Sequence, residues 1–270
     1  MACGLKFLIR RVWMPLGAVL VCLTAVAAPP QSGQIFTRAE HHLSKYQFPM
    51  AVVRAAQTLA EAGFSAAAAG DGLIEALTRK PCTKVEIVTS ADDARLQELF
   101  PAGRVLPGGG VELSFKGSAA HDPVTVTLVP FGAVPEAYAG QAQIPSQAGE
   151  AGMAADSCRR GFSVGGLYYD FASRNLYDFF EGLRDLRALK LDTIFDPGLS
   201  LTVQPELALR ALRMMAVYGL KPSARLSAAL EEAFNATFAA NPGSDIVDGG
   251  GGDDFLFGDS GIAGLAEKVN

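Results

Sequence analysis

The chain has 270 residues, 49% of them hydrophobic, enough to bury a substantial core as one large domain or two small ones. Its 23 basic side chains face 28 acidic ones, a net charge of −5. Past the N-terminus no basic run exceeds the pairs Arg79-Lys80 and Arg159-Arg160, which argues against nucleic acid as a partner, since phosphate binding draws on clustered Lys and Arg.

Residues 1–28 carry no acid, begin with Lys6, Arg10 and Arg11, run through apolar residues 12–27 and close on Ala25-Val26-Ala27, the pattern of a cleaved export signal. The apolar run is shorter than the roughly 20 residues of a membrane span and is interrupted by Pro15, so no stable anchor is expected. The expectation is an exported protein, periplasmic or secreted, with residues 29–48 as a linker. Cleavage leaves 20 basic against 28 acidic side chains, a net charge of −8, and two cysteines, Cys82 and Cys158. In an oxidising compartment these form one disulfide or stay as two buried thiols.

Residues 49–63 place Val52, Val53, Ala56, Leu59 and Ala60 at helical spacing, with Gly63 as the stop. The small residues 66–69 lead into Gly70-Asp71-Gly72, and Leu73, Ile74 and Leu77 predict a short helix ending before Pro81. Residues 84–89 alternate as a strand, and 92–100 read as a helix stopped by Pro101. Strands follow at 111–115 and 124–129, with turns between them, so the sheet is expected to be mixed. Residues 132–156 are rich in Ala, Gly, Gln and Pro and read as a mobile loop. A strand is predicted at 162–170, a short one at 177–180, a helical turn at 183–188 and a strand end at 192–194. Helices at 204–218 and 224–239 make the end all-helical.

Within this layout, Asp156-Ser157-Cys158-Arg159-Arg160-Gly161-Phe162-Ser163 leads to Leu167-Tyr168-Tyr169. Asp178-Phe179-Phe180-Glu181-Gly182-Leu183-Arg184-Asp185-Leu186, Thr193-Ile194-Phe195-Asp196-Pro197 and Leu209-Arg210-Ala211-Leu212-Arg213 follow in order. Residues 48–220 thereby resemble the head and early neck of the bacterial class II poly(A) polymerases and CCA-adding tRNA nucleotidyltransferases. The resemblance implies an α+β fold: a nucleotidyltransferase-like mixed sheet flanked by helices (49–200), followed by a small helical neck (201–240) and a Gly/Asp-rich flexible tail (241–270).

The chemistry that the family implies is degraded. Its two-metal transfer needs carboxylates around Mg²⁺. Where the family has Asp-x-Asp, this sequence has Lys84 and Glu86, and the third carboxylate falls at Thr127. The family's glycine motif, Gly-Gly-x-x-Arg-Asp, is here Gly70 to Glu75, with Ile74 in place of the phosphate-contacting arginine. Its Arg-Arg-Asp is Arg159-Arg160-Gly161, and its base-reading acidic pair and arginine are Val203, Gln204 and Leu207. Because Thr89-Ser90-Ala91, Leu99-Phe100 and Arg210 still align, a slipped register does not explain the loss. The expected reading is a catalytically inactive, exported homologue retained as a binding or structural module, with no cofactor and an unknown envelope or extracellular partner. Gly70, Gly72, Arg159, Arg160 and Arg210 are then vestiges of nucleotide binding.

Two alternatives stand beside it. An active RNA nucleotidyltransferase, working in RNA processing, would use Mg²⁺ on a rearranged set of Glu86, Glu75 and Asp71. A calcium-dependent envelope or extracellular binder would use the tail, where residues 249–257 fit one Gly-Gly-x-Gly-x-Asp nonapeptide with Asp254 as the Ca²⁺ candidate. His41-His42 are adjacent and splay apart on a helix, a poor metal pair, and His121 has no nucleophile beside it. Phe162, Tyr168, Tyr169, Phe179 and Phe180 sit at strand spacing and are expected in the core rather than in a base-stacking platform. In the family fold, the segments bearing Cys82 and Cys158 both border the cleft, so the resemblance implies that a disulfide would close over it.

Overall fold

The computed structural model describes residues 33–117, 122–141 and 148–240. In chain order the elements are β1 (Gln34–Phe36), α1 (Arg38–His41), α2 (Met50–Glu61), β2 (Ala66–Ala69), α3 (Gly70–Leu77), β3 (Lys84–Thr89), α4 (Asp93–Leu99), β4 (Arg104–Val105), β5 (Val111–Phe115) and β6 (Val124–Pro130). Then come α5 (Ala148–Ser157), β7 (Leu167–Asp170), β8 (Leu176–Asp178), α6 (Gly182–Arg187), β9 (Lys190–Leu191), α7 (Pro197–Val203), α8 (Leu207–Tyr218), β10 (Lys221–Pro222) and α9 (Ala224–Ala240).

Eight strands form one sheet in the order β1-β8-β7-β2-β3-β6-β5-β4. Only β3 and β6 run parallel within it, so the sheet is mixed, as expected. Side chains alternate between two faces. Ala66, Ala68, Val85, Ile87 and Tyr169 bury one face with Val52, Leu59, Leu73 and Ile74 of α2 and α3. On the other, Ala67, Ala69, Val88, Tyr168 and Phe179 pack with Met153 and Ala154 of α5. The all-alanine β2 is fully buried, so its small side chains let layers press in from both sides.

Three expectations are corrected. The linker expected at 29–48 contains β1, which pairs antiparallel with β8, and α1, and it buries Leu43 and Phe48. The loop expected at 132–156 contains α5 and a 3₁₀ turn at Glu136–Tyr138, and it buries Tyr138, Met153, Ala154 and Asp156. Its small residues let α5 lie close to the sheet: a Cβ on Gly152 would come within 2.6 Å of the Phe131 ring. The strand expected at 162–170 is a 3₁₀ turn at Ser163–Gly166 followed by β7. The helix expected at 204–218 is α8, preceded by α7, whose N-terminus Asp196 caps by accepting from Leu199 N. The aromatics expected in the core are there, with Phe162, Tyr168 and Tyr169 fully buried. His121, the export segment and the tail with Asp254 lie outside the described residues.

Candidate functional site

Gly70, Asp71, Gly72, Lys84, Val85, Glu86, Thr127, Arg160 and Arg210 line one open cleft of about 240 Å³. Strand pairing assembles its floor. Lys84 and Glu86 share a face of β3, and in the parallel pair with β6 Glu86 is the register partner of Thr127. On the other side Glu86 pairs with Ala69, the last residue before α3 begins. The glycines there answer to geometry. Gly70 has φ +66°, and a Cβ on Gly72 would come within 2.5 Å of the Lys84 carbonyl oxygen.

Asp156 organises the back wall. With no exposed surface, it accepts from Gly132 N at 2.8 Å, Arg159 Nε at 2.7 Å, Arg160 Nε at 2.8 Å and the Tyr168 hydroxyl at 2.8 Å. Burial pushes its carboxyl up, but the Arg160 and Arg159 guanidiniums outweigh this and hold it below the usual carboxylate range. Arg160, nine-tenths buried, uses its other arm to meet Glu86 Oε1 at 2.6 Å. That contact is a close ion pair without the alignment of a hydrogen bond, because the same oxygen is buried and has no hydrogen-bond partner. The guanidinium stays charged: burial acts against it, while Tyr168, Glu86 and Asp156 keep its pKa well above the ordinary arginine value.

Of the vestigial set, Gly70, Gly72, Arg160 and Arg210 line the cleft, whereas Arg159 does not and turns to Asp156. The rearranged acids do not assemble. Asp71 is engaged by Arg213 of α8. Glu75, one turn along α3, lies outside the cleft lining, and burial and the nearby Asp71 push its carboxyl up. Among the described residues no three His, Cys, Asp or Glu side chains are grouped to hold a metal ion. The Mg²⁺ that the resemblance implies does not fit what is present: the one carboxylate on the floor is paired with a guanidinium, beside Lys84 and a threonine.

Sequence reasoning missed a coupling. Gly161, where the family has an acid, turns the chain at φ +79°, and a Cβ there would come within 2.3 Å of Leu207, where the family has its base-reading arginine. Leu207 is fully buried, and the nearby Gln204 donates to the Arg159 carbonyl oxygen at 3.4 Å. Two positions 46 apart in sequence thus meet in an apolar contact. The disulfide is not formed: Cys82 and Cys158 are free, buried thiols in different clusters, directed at the carbonyl oxygens of Gln47 and Ala154. His41 is no ligand either, because both its ring nitrogens are committed to the Leu43 N–H and the Arg174 carbonyl.

Residues 70–192 match the poly A polymerase head domain family. Poly(A) polymerase I of Haemophilus influenzae is 44% identical over 61 residues, 23% of this chain and 14% of that protein. Poly(A) polymerase I of Escherichia coli O6:H1 is 25% identical over 209 residues, 74% of this chain and 43% of that protein. Among solved structures, a CCA-adding enzyme in complex with ATP superposes with a TM-score of 0.60 at 15% identity, covering 76% of this chain and 48% of that one. The Thermotoga maritima CCA-adding enzyme complexed with tRNA gives a TM-score of 0.54 at 16% identity, covering 71% and 43%. The chain thus spans less than half the length of the relatives it matches. In sequence over residues 70–192, and in fold over most of the described residues, it resembles the head of the poly(A) polymerase and CCA-adding enzyme family of nucleotidyltransferases.

Proposed function

We propose that this nucleotidyltransferase-like chain does not transfer nucleotides and acts as a non-catalytic binding or structural module. The observation that carries the reading is the ion pair of Arg160 with Glu86 at 2.6 Å, which neutralises the one floor carboxylate a metal could use. Lys84 and Thr127, at the positions where the family has its other carboxylates, add a cation and a hydroxyl. Base reading is degraded in the same way, since Leu207 is buried against Gly161. The test is incubation of the purified full chain with ATP or CTP, Mg²⁺ and an oligoribonucleotide primer. The expected outcome is no extension, and extension that disappears in Glu86→Ala would overturn the reading. The pattern of residues 1–28 supports export of this module. Intact mass of the native protein from its own cell fraction tests that, and an uncleaved cytosolic species would refute it.

A further inference from the structure

We propose that a second pocket, away from the cleft, binds a small organic anion, a carboxylate carried on an apolar body. It lies where the segment after α1, the end of α3 and α6 meet, with a volume of about 280 Å³. Gly70 and Gly72 of α3 line the cleft, whereas Leu77 and the following Arg79 line this pocket, so a helix about 12 Å long separates the two. The volume is just under the roughly 300–1,000 Å³ usual for drug-sized ligands, which favours a smaller molecule. Leu77, Leu183 and Leu186 supply an apolar wall, and Arg79 and Arg187 supply charge. No Asp or Glu is among the lining residues, although the whole chain has a net charge of −5.

The backbone points to the same place. Five described residues other than glycine have positive φ, and two of them, His42 at +61° and Arg79 at +59°, line this one pocket. Both follow a helix at the left-handed position that glycine usually fills. The His42 N–H donates to Arg38 O at 2.9 Å; past α3, Arg79 N–H donates to Ala76 O at 3.2 Å and Lys80 N–H to Glu75 O at 2.8 Å. A side chain in that position strains the backbone, and such strain gathers where ligands are held. Neither the His42 nor the Arg79 side chain makes a hydrogen bond or ion pair among the described residues, so no internal contact offsets the strain. Arg187 is steadied in advance: its Nη2 donates to the Glu40 carbonyl oxygen at 2.8 Å, which leaves its other nitrogens for a ligand. The Glu40 carboxylate does not compete for them, because it accepts from Thr37 N at 2.7 Å and Thr37 Oγ1 at 2.8 Å. Guanidiniums match the geometry of a carboxylate, and the leucines beside them suit the apolar remainder of such a molecule.

The experiment titrates the full chain with hexanoate, with uncharged hexanamide and with inorganic phosphate by calorimetry, and measures urea unfolding on the same preparations. Hexanoate is expected to bind saturably, and hexanamide and phosphate at least about tenfold more weakly, a difference of about 1.4 kcal/mol. His42→Gly and Arg79→Gly relieve the strain, so each is expected to keep or raise the urea midpoint while weakening hexanoate about tenfold. That combination separates a ligand site from a structural role, which would lower the midpoint instead. No saturable binding of hexanoate, equal binding of hexanamide or phosphate, or binding unchanged in both glycine variants overturns the proposal. So does a lower urea midpoint in both variants, or loss of hexanoate binding in Lys84→Gln, which would place it in the cleft. None of these outcomes bears on primer extension, so the non-catalytic reading stands or falls separately.

Discussion

Asp156 is the residue on which most of the cleft's geometry depends, and a carboxylate with no exposed surface is costly unless its oxygens are fully engaged. Here four donor residues share its two oxygens. Asp156→Asn keeps the shape and removes the charge, leaving Arg160 with Glu86 as its only counter-charge. The expected cost is about 3–5 kcal/mol, as for breaking a buried pair, read from urea unfolding. Because the folded carboxyl sits below its ordinary value, this contribution is present above about pH 4 and is lost as pH falls further. A loss under about 1 kcal/mol would mean that the network does not hold the wall together.

At the scale of elements, α3 shows that a motif can persist for packing alone. The helix lies so close to β3 that a Cβ on Gly72 would sit 2.5 Å from Lys84 O and 3.0 Å from Val85 Cα, both backbone atoms that cannot step aside. Gly72→Ala is expected to destabilise by about 1–3 kcal/mol even though alanine is the better helix former. Gly108→Ala, with nothing within 4 Å, is expected to stay within about 0.5 kcal/mol of the parent. Equal effects at the two sites in chemical denaturation would contradict this account.

The β1–α1 segment is held by His41, whose Nδ1 accepts from Leu43 N at 2.9 Å, so that Nε2 carries the proton donated to Arg174 O at 3.1 Å. Burial lowers its pKa, the Arg174 carbonyl working against it. The unfolded chain therefore takes up the proton first, and stability is lost as pH drops through the ordinary histidine range, about 6.5. Urea midpoints at about pH 7.5 and about pH 5 should differ more for the parent than for His41→Gln. An identical difference in both would place the pH response elsewhere.

These elements also show what the sequence could reveal. Segments 84–89, 111–115 and 124–129 were legible because β-branched and apolar residues recur there between turn residues. The helix α5 was not, because Ala and Gly earn their place through close approach rather than through large apolar side chains. β1 was not, because three residues carry too little pattern and are ordered by pairing with β8, far along the chain. At the site, the positions of Lys84, Glu86 and Thr127 could be read, but not that Arg160 reaches Glu86 or that Arg159 turns away.

Across the whole molecule the net charge is −5, so any attraction of the cleft's cations for anions is local and will weaken with salt. The same packing encloses both described thiols. Burial pushes the Cys158 thiol up to about 11 and raises that of Cys82 as well, so neither forms thiolate readily. Alkylation with iodoacetamide at about pH 8, mapped by peptide mass, should leave Cys82 and Cys158 unmodified in the folded protein and label both in denaturant. Rapid native labelling of either would mean that its wall opens.

The contact of Gly161 with Leu207 also limits what this corner of the fold can hold. An acid placed at 161 collides with the leucine, and an arginine placed at 207 enters a buried position with no acid to meet it. The positive φ of +79° at Gly161 strains any other residue placed there, whatever stands at 207. The packing therefore sets a stability cost on rebuilding this corner: a side chain at 161 meets backbone strain, and a charge at 207 enters a buried position.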